Sequence, residues 1–459
     1  MKKVLLTIFA AFMAFTAVQA QTPKYVFYFI GDGMGANHAY AAVAYNRAMG
    51  QPDPNFWNFP VKGLITTYSA SSLVTDSSAA GTALSSGTKI VNGACGVDPE
   101  GNWTTSILEV AQARGWGTGV ATSVGVNHAT PAAFYGHSKS RNDYDTLSQQ
   151  LIDSKLDFAA GSSFLHEHHS QQYNDDWIAK AKEAGINVYR GKEEYKKTNG
   201  RVIMLSNAPK ASDDLPYAVD RKPGDTKLAD FTEAAIDHLY SHYAKKGFIL
   251  MVEGGMIDHA AHANDTGGVI GEVNDMAESV QLALDFAAKH PNETLIIVTA
   301  DHETGGLTMG YGKYEMHPEL LASQKATKDV LSFKIVSLLQ KEDVSWKEVK
   351  NVLKENLGLW DTVPVDPRAE KHFTQLYKEA FLDRDLQEDR NLYSSTARLA
   401  SEAIQYLDNA ASNLSWSFGS HSGAPLPVYA YGVKAEAFAT VADNTDVPKT
   451  ILKVTRIVK

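Results

Sequence analysis

Residues 25–35 read YVFYFIGDGMG, an apolar run from Tyr25 to Ile30 that stops at Asp32 among glycines. A short run rich in aromatic and β-branched residues, closed by glycine, predicts a buried strand. The same pattern recurs further on: FILMV at 248–252 ends in EGG, and LIIVT at 295–299 ends in ADHETGG. Between them lie helical signals. Ser106 and Glu109 form a capping-box pattern opening a helix that stops near Gly115 and Gly117, and Val120 to Thr122 begins the next strand. This alternation predicts an α/β fold, a three-layer sandwich with a large, mostly parallel central sheet and helices on both faces. Ligands of open α/β sheets gather outside the carboxyl ends of the strands. Three apolar runs that each end in an acidic residue with glycines or a histidine therefore point to one shared site.

The texture changes from about residue 305 to 420. Leu331 to Leu339 has helical apolar spacing, Ser345 and Glu348 form a second capping box before a helix stopped by Gly358, and Leu392 to Leu407 is a further amphipathic helix. Strand-like sequence resumes at His421 and at Val428 to Tyr431, so this stretch reads as a helical insertion into one catalytic domain, 21–459.

The first twenty residues read as a secretory signal: Lys2 and Lys3, an apolar run from Val4 to Val18, and the small-residue cleavage site Val18-Gln19-Ala20. The run is too short for a membrane span, and no other stretch is long enough, so a soluble exported protein is expected, in the periplasm or, alternatively, secreted. Formal net charge is −10, and loss of Lys2 and Lys3 makes it −10 − 2 = −12. That argues against a nucleic-acid partner. It leaves a phosphate substrate open, because clustered metals set a local field opposite to the global one. Cys95 is the only cysteine, so packing and bound metal, not an internal disulfide, must hold the fold.

Asp258 and His262 in IDHAAH are four apart, on one face if the stretch is helical, which suits one tetrahedral metal; His259 faces elsewhere. A lone Asp-x-x-x-His is more often a polar surface turn. Here Glu253, Asp32, and Asp301 with His302 all follow buried strands, where unpaired carboxylates are costly, and together they favour a site for several metals. His421 in GSHSG is a further candidate ligand, weighted by the need of the Asp258/His262 pair for a third one. In VTDSSAAGTAL at 74–84 a serine at a helix N-terminus would meet free amides and the positive dipole end, a phosphate cradle, whereas Asp76 or Ser77 could equally be a plain N-cap. Residue types alone do not choose between Ser77 and Ser78 as the reactive hydroxyl. His128, Thr130, His137 and Arg141 fall in VNHATPAAFYGHSKSR: threonine suits a hard cation, arginine a phosphoryl group, and Pro131 is expected to keep a simple helix from running through Thr130.

Taken together, GDGMG at 31–35, TDSSAAGTAL at 75–84, HATP at 128–131, SR at 140–141, EGGMIDHAAH at 253–262, TADHETGG at 299–306 and GSH at 419–421 make the chain resemble the alkaline phosphatase family, in family order and over nearly the whole length after residue 20. The resemblance implies hydrolysis of phosphate monoesters through phosphorylation of Ser77. It implies one zinc held by Asp258, His262 and His421, a second by Asp32, Asp301 and His302, and one magnesium by Asp32, Thr130 and Glu253. Arg141 would bind phosphate, steadied by Asp76, and the enzyme would be a homodimer. His128 and His259 depart from the enterobacterial members, which carry Asp and Lys there, and resemble the animal enzymes. Two rival readings are a phosphodiesterase or sulfatase on the same core and a non-catalytic phosphate- or zinc-binding protein.

Overall fold

The computed structural model describes residues 21–458 apart from 167–169, 311, 313 and 383–388. The expected signal at 1–20 lies outside the described residues. The strands in chain order are β1 (Tyr25–Gly31), β2 (Val61–Ile65), β3 (Gly117–Thr122), β4 (Phe158–Gly161), β5 (Asn187–Arg190), β6 (Val202–Leu205), β7 (Phe248–Gly254), β8 (Thr294–Ala300), β9 (Glu303–Thr304), β10 (Thr308–Met309), β11 (Leu414–Ser415), β12 (His421–Ser422) and β13 (Leu426–Gly432).

Nine of these form one sheet in the order β2-β13-β8-β1-β7-β3-β4-β6-β5, parallel except where β13 runs against its neighbours β8 and β2. Every residue of β1, β7 and β8 is buried. A parallel strand covered by helices on both faces has no wet side, so these three read as continuous apolar runs and not as alternation. On one face the helices Ala36–Ala48, Leu228–Tyr243 and Thr266–Lys289 pack together; on the other lie Ser77–Ser86, Ile107–Ala113, Ala129–Ala132 and Asp446–Thr455.

Register carries the fold's main consequence. β1 aligns Ile30 with Glu253 of β7 and with Thr299 of β8, and β3 aligns Thr122 with the same Glu253. The acidic residues that end these strands therefore emerge at one level of one sheet edge. Asp32 and Asp301 each lie two residues beyond that row.

Both capping boxes form, at Ser106/Glu109 and at Ser345/Glu348, and Gly358 closes the second helix in the left-handed region at φ 68°. β3 begins at Gly117, earlier than the sequence suggested, because its pairing with β7 already starts there against Phe248; a side chain at 117 would not fit against the Tyr243 ring. A short helix, Ala129–Ala132, does run through Thr130 and Pro131. The expectation that Pro131 forbids it fails because proline in a first turn gives up an amide that has no intrahelical partner anyway. The late helices lie between Pro318 and Ala411. Their neck is closed by two short antiparallel pairs, β9 with β12 and β10 with β11. No helix among the described residues is long and apolar enough to cross a membrane.

Candidate active site

Asp32, Glu253 and Asp301 stand at the ends of β1, β7 and β8 by the register above. Asp258 and His262 come from the helix Met256–His262, which starts directly after β7. Four residues of helical spacing stack them, with His262 Nε2 3.2 Å from Asp258 Oδ2. His421 arrives from beyond the late helices: its pairing with Thr304 across β12 and β9 sets it against His302, ring centroids 3.6 Å apart, and 3.2 Å from His262, nitrogen to nitrogen.

Three groups of side chains thus converge, each with ligand atoms within 4.8 Å of one another: Asp258, His262 and His421; Asp32, Asp301 and His302; and Asp32, His128 and Glu253. Both carboxylate oxygens of Asp32, Oδ2 of Asp301, Oε1 of Glu253, the Thr130 hydroxyl and Nδ1 of His128 are buried without a protein hydrogen-bond partner. Orphaned buried oxygens at this density are costly unless a cation meets them. Burial, then the neighbouring charges of Asp301, Asp258 and Glu253, pushes the Asp32 carboxyl well above its ordinary range. Burial, with the Asp258 charge, likewise pushes Asp301 up to about 7. Burial pushes Glu253 up to about 7 as well, against a hydrogen bond from Thr122. Asp258 moves the other way: burial opposes it, but the His262 hydrogen bond and three imidazoles hold its carboxyl far below the usual range. Carboxylates and imidazoles in this mixture form the donor set of borderline and hard divalent cations.

Asp76 caps the helix Ser77–Ser86, its Oδ1 accepting from the Ala79 amide at 3.0 Å. That leaves Ser77 as the first helical residue, its Oγ 3.1 Å from Nε2 of His302. Ser78 turns away and donates to Asp76 Oδ2 at 2.8 Å. The structure separates the two hydroxyls that the sequence could not: Ser77 faces the carboxylate–imidazole cluster. Small residues allow the approach, since a Cβ on Gly81 would lie 3.1 Å from Cβ of Ala133.

Arg141 reaches the same edge. Its Nη1 donates to Asp76 Oδ2 at 3.1 Å, and its Nη2 lies 3.3 Å from His128 Nε2. Burial and then the Arg141 charge hold the His128 imidazole well below its usual range, so it is neutral and free to accept or ligate. His259 stands edge-on to His128, with ring centroids 6.1 Å apart. Burial alone would depress it, but Asp214, Asp258 and Glu253 push it up to about 9. His137 lies apart from the cluster: its ring bonds the Gly96 carbonyl and Glu109 and stacks under Trp103.

Three residues that the motifs did not single out serve the cluster. Thr122 donates to Glu253, Thr304 donates to Asp258, and Asp214 pairs with His259. Hydroxyls and loop aspartates are too common for sequence to flag. Only their position at a strand end could have pointed to Thr122.

Comparison with known proteins agrees with this arrangement. The family model described as alkaline phosphatase matches residues 23–457. Alkaline phosphatase 4 of Bacillus subtilis is 34% identical over 93% of this chain and 87% of its own length. The cold-active alkaline phosphatase of the psychrophile Shewanella sp. superposes with a TM-score of 0.76 at 27% identity, over 94% of this chain and 99% of that one. A mutant of the alkaline phosphatase of the Antarctic bacterium TAB5, with magnesium bound in its M3 site, gives a TM-score of 0.66 at 25% identity, over 96% and 99% of the two chains.

Proposed function

Because the chain belongs to the alkaline phosphatase family and is a phosphomonoester hydrolase, we propose that it works through a phosphoseryl intermediate on Ser77 at a centre of two zinc ions and one magnesium ion. The observation that carries this reading is the Ser77 hydroxyl at a helix N-terminus, 3.1 Å from His302 within the cluster of orphaned carboxylates. Asp258, His262 and His421 would hold one zinc; Asp32, Asp301 and His302 would hold the other. Asp32, Thr130 and Glu253 would hold magnesium, an oxygen set suited to that ion; in the TAB5 relative it is a mutant with His replaced by Glu that has magnesium bound in the M3 site. The nitrogen that His128 brings to Asp32 and Glu253 is the one feature that favours zinc there. Metal analysis with anomalous diffraction at the zinc edge decides between them: magnesium is expected at the third position, and zinc at all three contradicts that part of the assignment.

When bound, the divalent cations supply Lewis-acid stabilisation of charge on the serine and leaving-group oxygens. The chain's own residues do the rest. Arg141 clamps two non-bridging oxygens of the phosphoryl group, and Asp76, bonded to its Nη1, fixes the plane of the fork. The opening turn at Ser77 presents the positive end of its helix to the same group. Ser77 Oγ gives up its proton and bonds to phosphorus as the phosphorus–oxygen bond to the alcohol breaks, and the departing alkoxide takes up a proton in its turn. Water then attacks the same phosphorus from the vacated side, giving up a proton as Ser77 regains one, and inorganic phosphate leaves.

On the same reading residues 1–20 are an export signal and 21–459 one catalytic domain working in the periplasm. The short apolar run and cleavage pattern support export; the homodimer rests on the family resemblance alone. Rates on a phosphate monoester, a diester and a sulfate with one shared aryl leaving group test the substrate class. The monoester is expected to dominate, and a faster diester or sulfate overturns the assignment.

A further inference from the structure

Asp214 lies in the connection between β6 and the helix Leu228–Tyr243, a segment without regular structure that is nonetheless fastened along its length. Asp214 bridges Val124 in antiparallel fashion, and the Leu215 amide donates to the Ser123 carbonyl at 2.8 Å. The hydroxyls of Ser162 and Ser163 donate to the carbonyls of Asp213 and Ser212 at 2.6 and 2.7 Å. The anchors are thus the loops that leave β3 and β4, the first of which leads to His128 and Thr130. From this position the Asp214 carboxylate sits 3.3 Å from Nδ1 of His259. On its other side Asp214 lines a cavity of about 610 Å³, with Tyr217, Lys222 and Lys334.

We propose that Asp214 is a positioning residue for phosphate binding, acting through His259. The contacts run in series: Asp214 to His259, His259 edge-on to His128 at 6.1 Å, and His128 Nε2 to Arg141 Nη2 at 3.3 Å. An imidazole has a broad terminal torsion and two unlike nitrogens, so a partly exposed ring is oriented by what its other nitrogen bonds. Asp214 fixes the rotation of His259 and thereby its near-perpendicular contact with His128, and so how far Arg141 is confined beside Asp76. Asp214 itself is 31% exposed, so the carboxylate is not part of the packed core.

The inference rests on Arg141 as the phosphate-binding residue, and calorimetric titration of the metal-loaded protein with inorganic phosphate tests both separately. Asp214→Ala is expected to raise the phosphate Kd about 5- to 10-fold, Asp214→Asn, which keeps an acceptor oxygen, far less, and Asp214→Ala combined with His259→Ala no more than His259→Ala alone. Asp214→Ala is expected to unfold at a somewhat lower temperature, because His259 loses its ion-pair partner, with the metal-loaded protein still folded at the temperature of titration. Asp214→Ser repeats the cycle if the alanine form does not fold. A wild-type Kd in Asp214→Ala, or effects that multiply in the double variant, overturns the proposal. Arg141→Ala measured alongside separates the two readings. Unchanged affinity there contradicts the role of Arg141, whereas a weakened Arg141→Ala beside an unaffected Asp214→Ala contradicts only the role of Asp214.

Discussion

At the scale of single residues the centre is a set of groups that each need another chain segment to acquire their role. Arg141 is the plainest case. In sequence it is one arginine in a polar stretch; in the fold Asp76 and His128 hold it at the mouth beside Ser77. The net loss of one charge-assisted hydrogen bond, roughly 1.5–3 kcal/mol, sets the lower expectation for Arg141→Ala: KM for a phosphate monoester rising at least roughly 10- to 100-fold, with folding intact. Steady-state kinetics that leave KM unchanged would remove the clamp from the mechanism. The choice of Ser77 over Ser78 was illegible from residue types alone for a physical reason. Both hydroxyls sit in the same small-residue helix start, and what distinguishes them is His302, 225 residues away. The resemblance to a family supplied that choice; composition could not. Asp214 marks the opposite limit, since nothing local announces an aspartate whose partner is set by tertiary anchoring.

At the scale of elements, strand ends did most of the work and were the most legible part. The runs at β1, β7 and β8 could be read directly because strands buried on both faces leave an unbroken apolar signal. Their shared register could not be read, since pairing is a property of the sheet. His421 shows the same division: its residue type suggested a ligand, but only the pairing of β12 with β9 brings it to His302. Gly33 is the corresponding hinge behind β1. It adopts φ +69°, and a Cβ there would meet Asp258 Oδ1 at 2.6 Å and Thr304 Oγ1 at 2.9 Å. Left-handed backbone costs a residue with a side chain about 1–2 kcal/mol, before any displacement of Asp258. Gly33→Ala is therefore expected to lower Tm and to lose metal on dialysis. Full metal content at wild-type stability would show that the strand-end turn does not shape the site.

At the scale of the whole molecule, the late helices share one hydrophobic core with the sheet. They are held at their neck by two strand pairs and further in by Asp408, whose buried carboxylate accepts from the Thr266 hydroxyl at 2.6 Å and from the Trp416 indole at 3.2 Å. Burial, against those hydrogen bonds, pushes Asp408 up to about 7 from the ordinary 3.8. The folded state thus holds this proton more tightly than the unfolded state does. The resulting stability is complete below about pH 4 and is lost as pH rises through about 7. Denaturant unfolding across that window should show wild type losing stability relative to Asp408→Asn, while parallel curves would place the carboxyl in an ordinary environment. The existence of helices between 305 and 420 was legible from caps and periodicity. How they dock was not, because apolar periodicity marks a buried face without naming what covers it, and a buried carboxylate such as Asp408 has no periodic signature.

The most direct measurement of the central claim is to quench the enzyme in acid during turnover of a phosphate monoester and locate bound phosphate by peptide mass spectrometry. Phosphate on Ser77, absent from Ser77→Ala, is the predicted result. Phosphate on Ser78, or turnover with no phosphorylated serine at all, would contradict it.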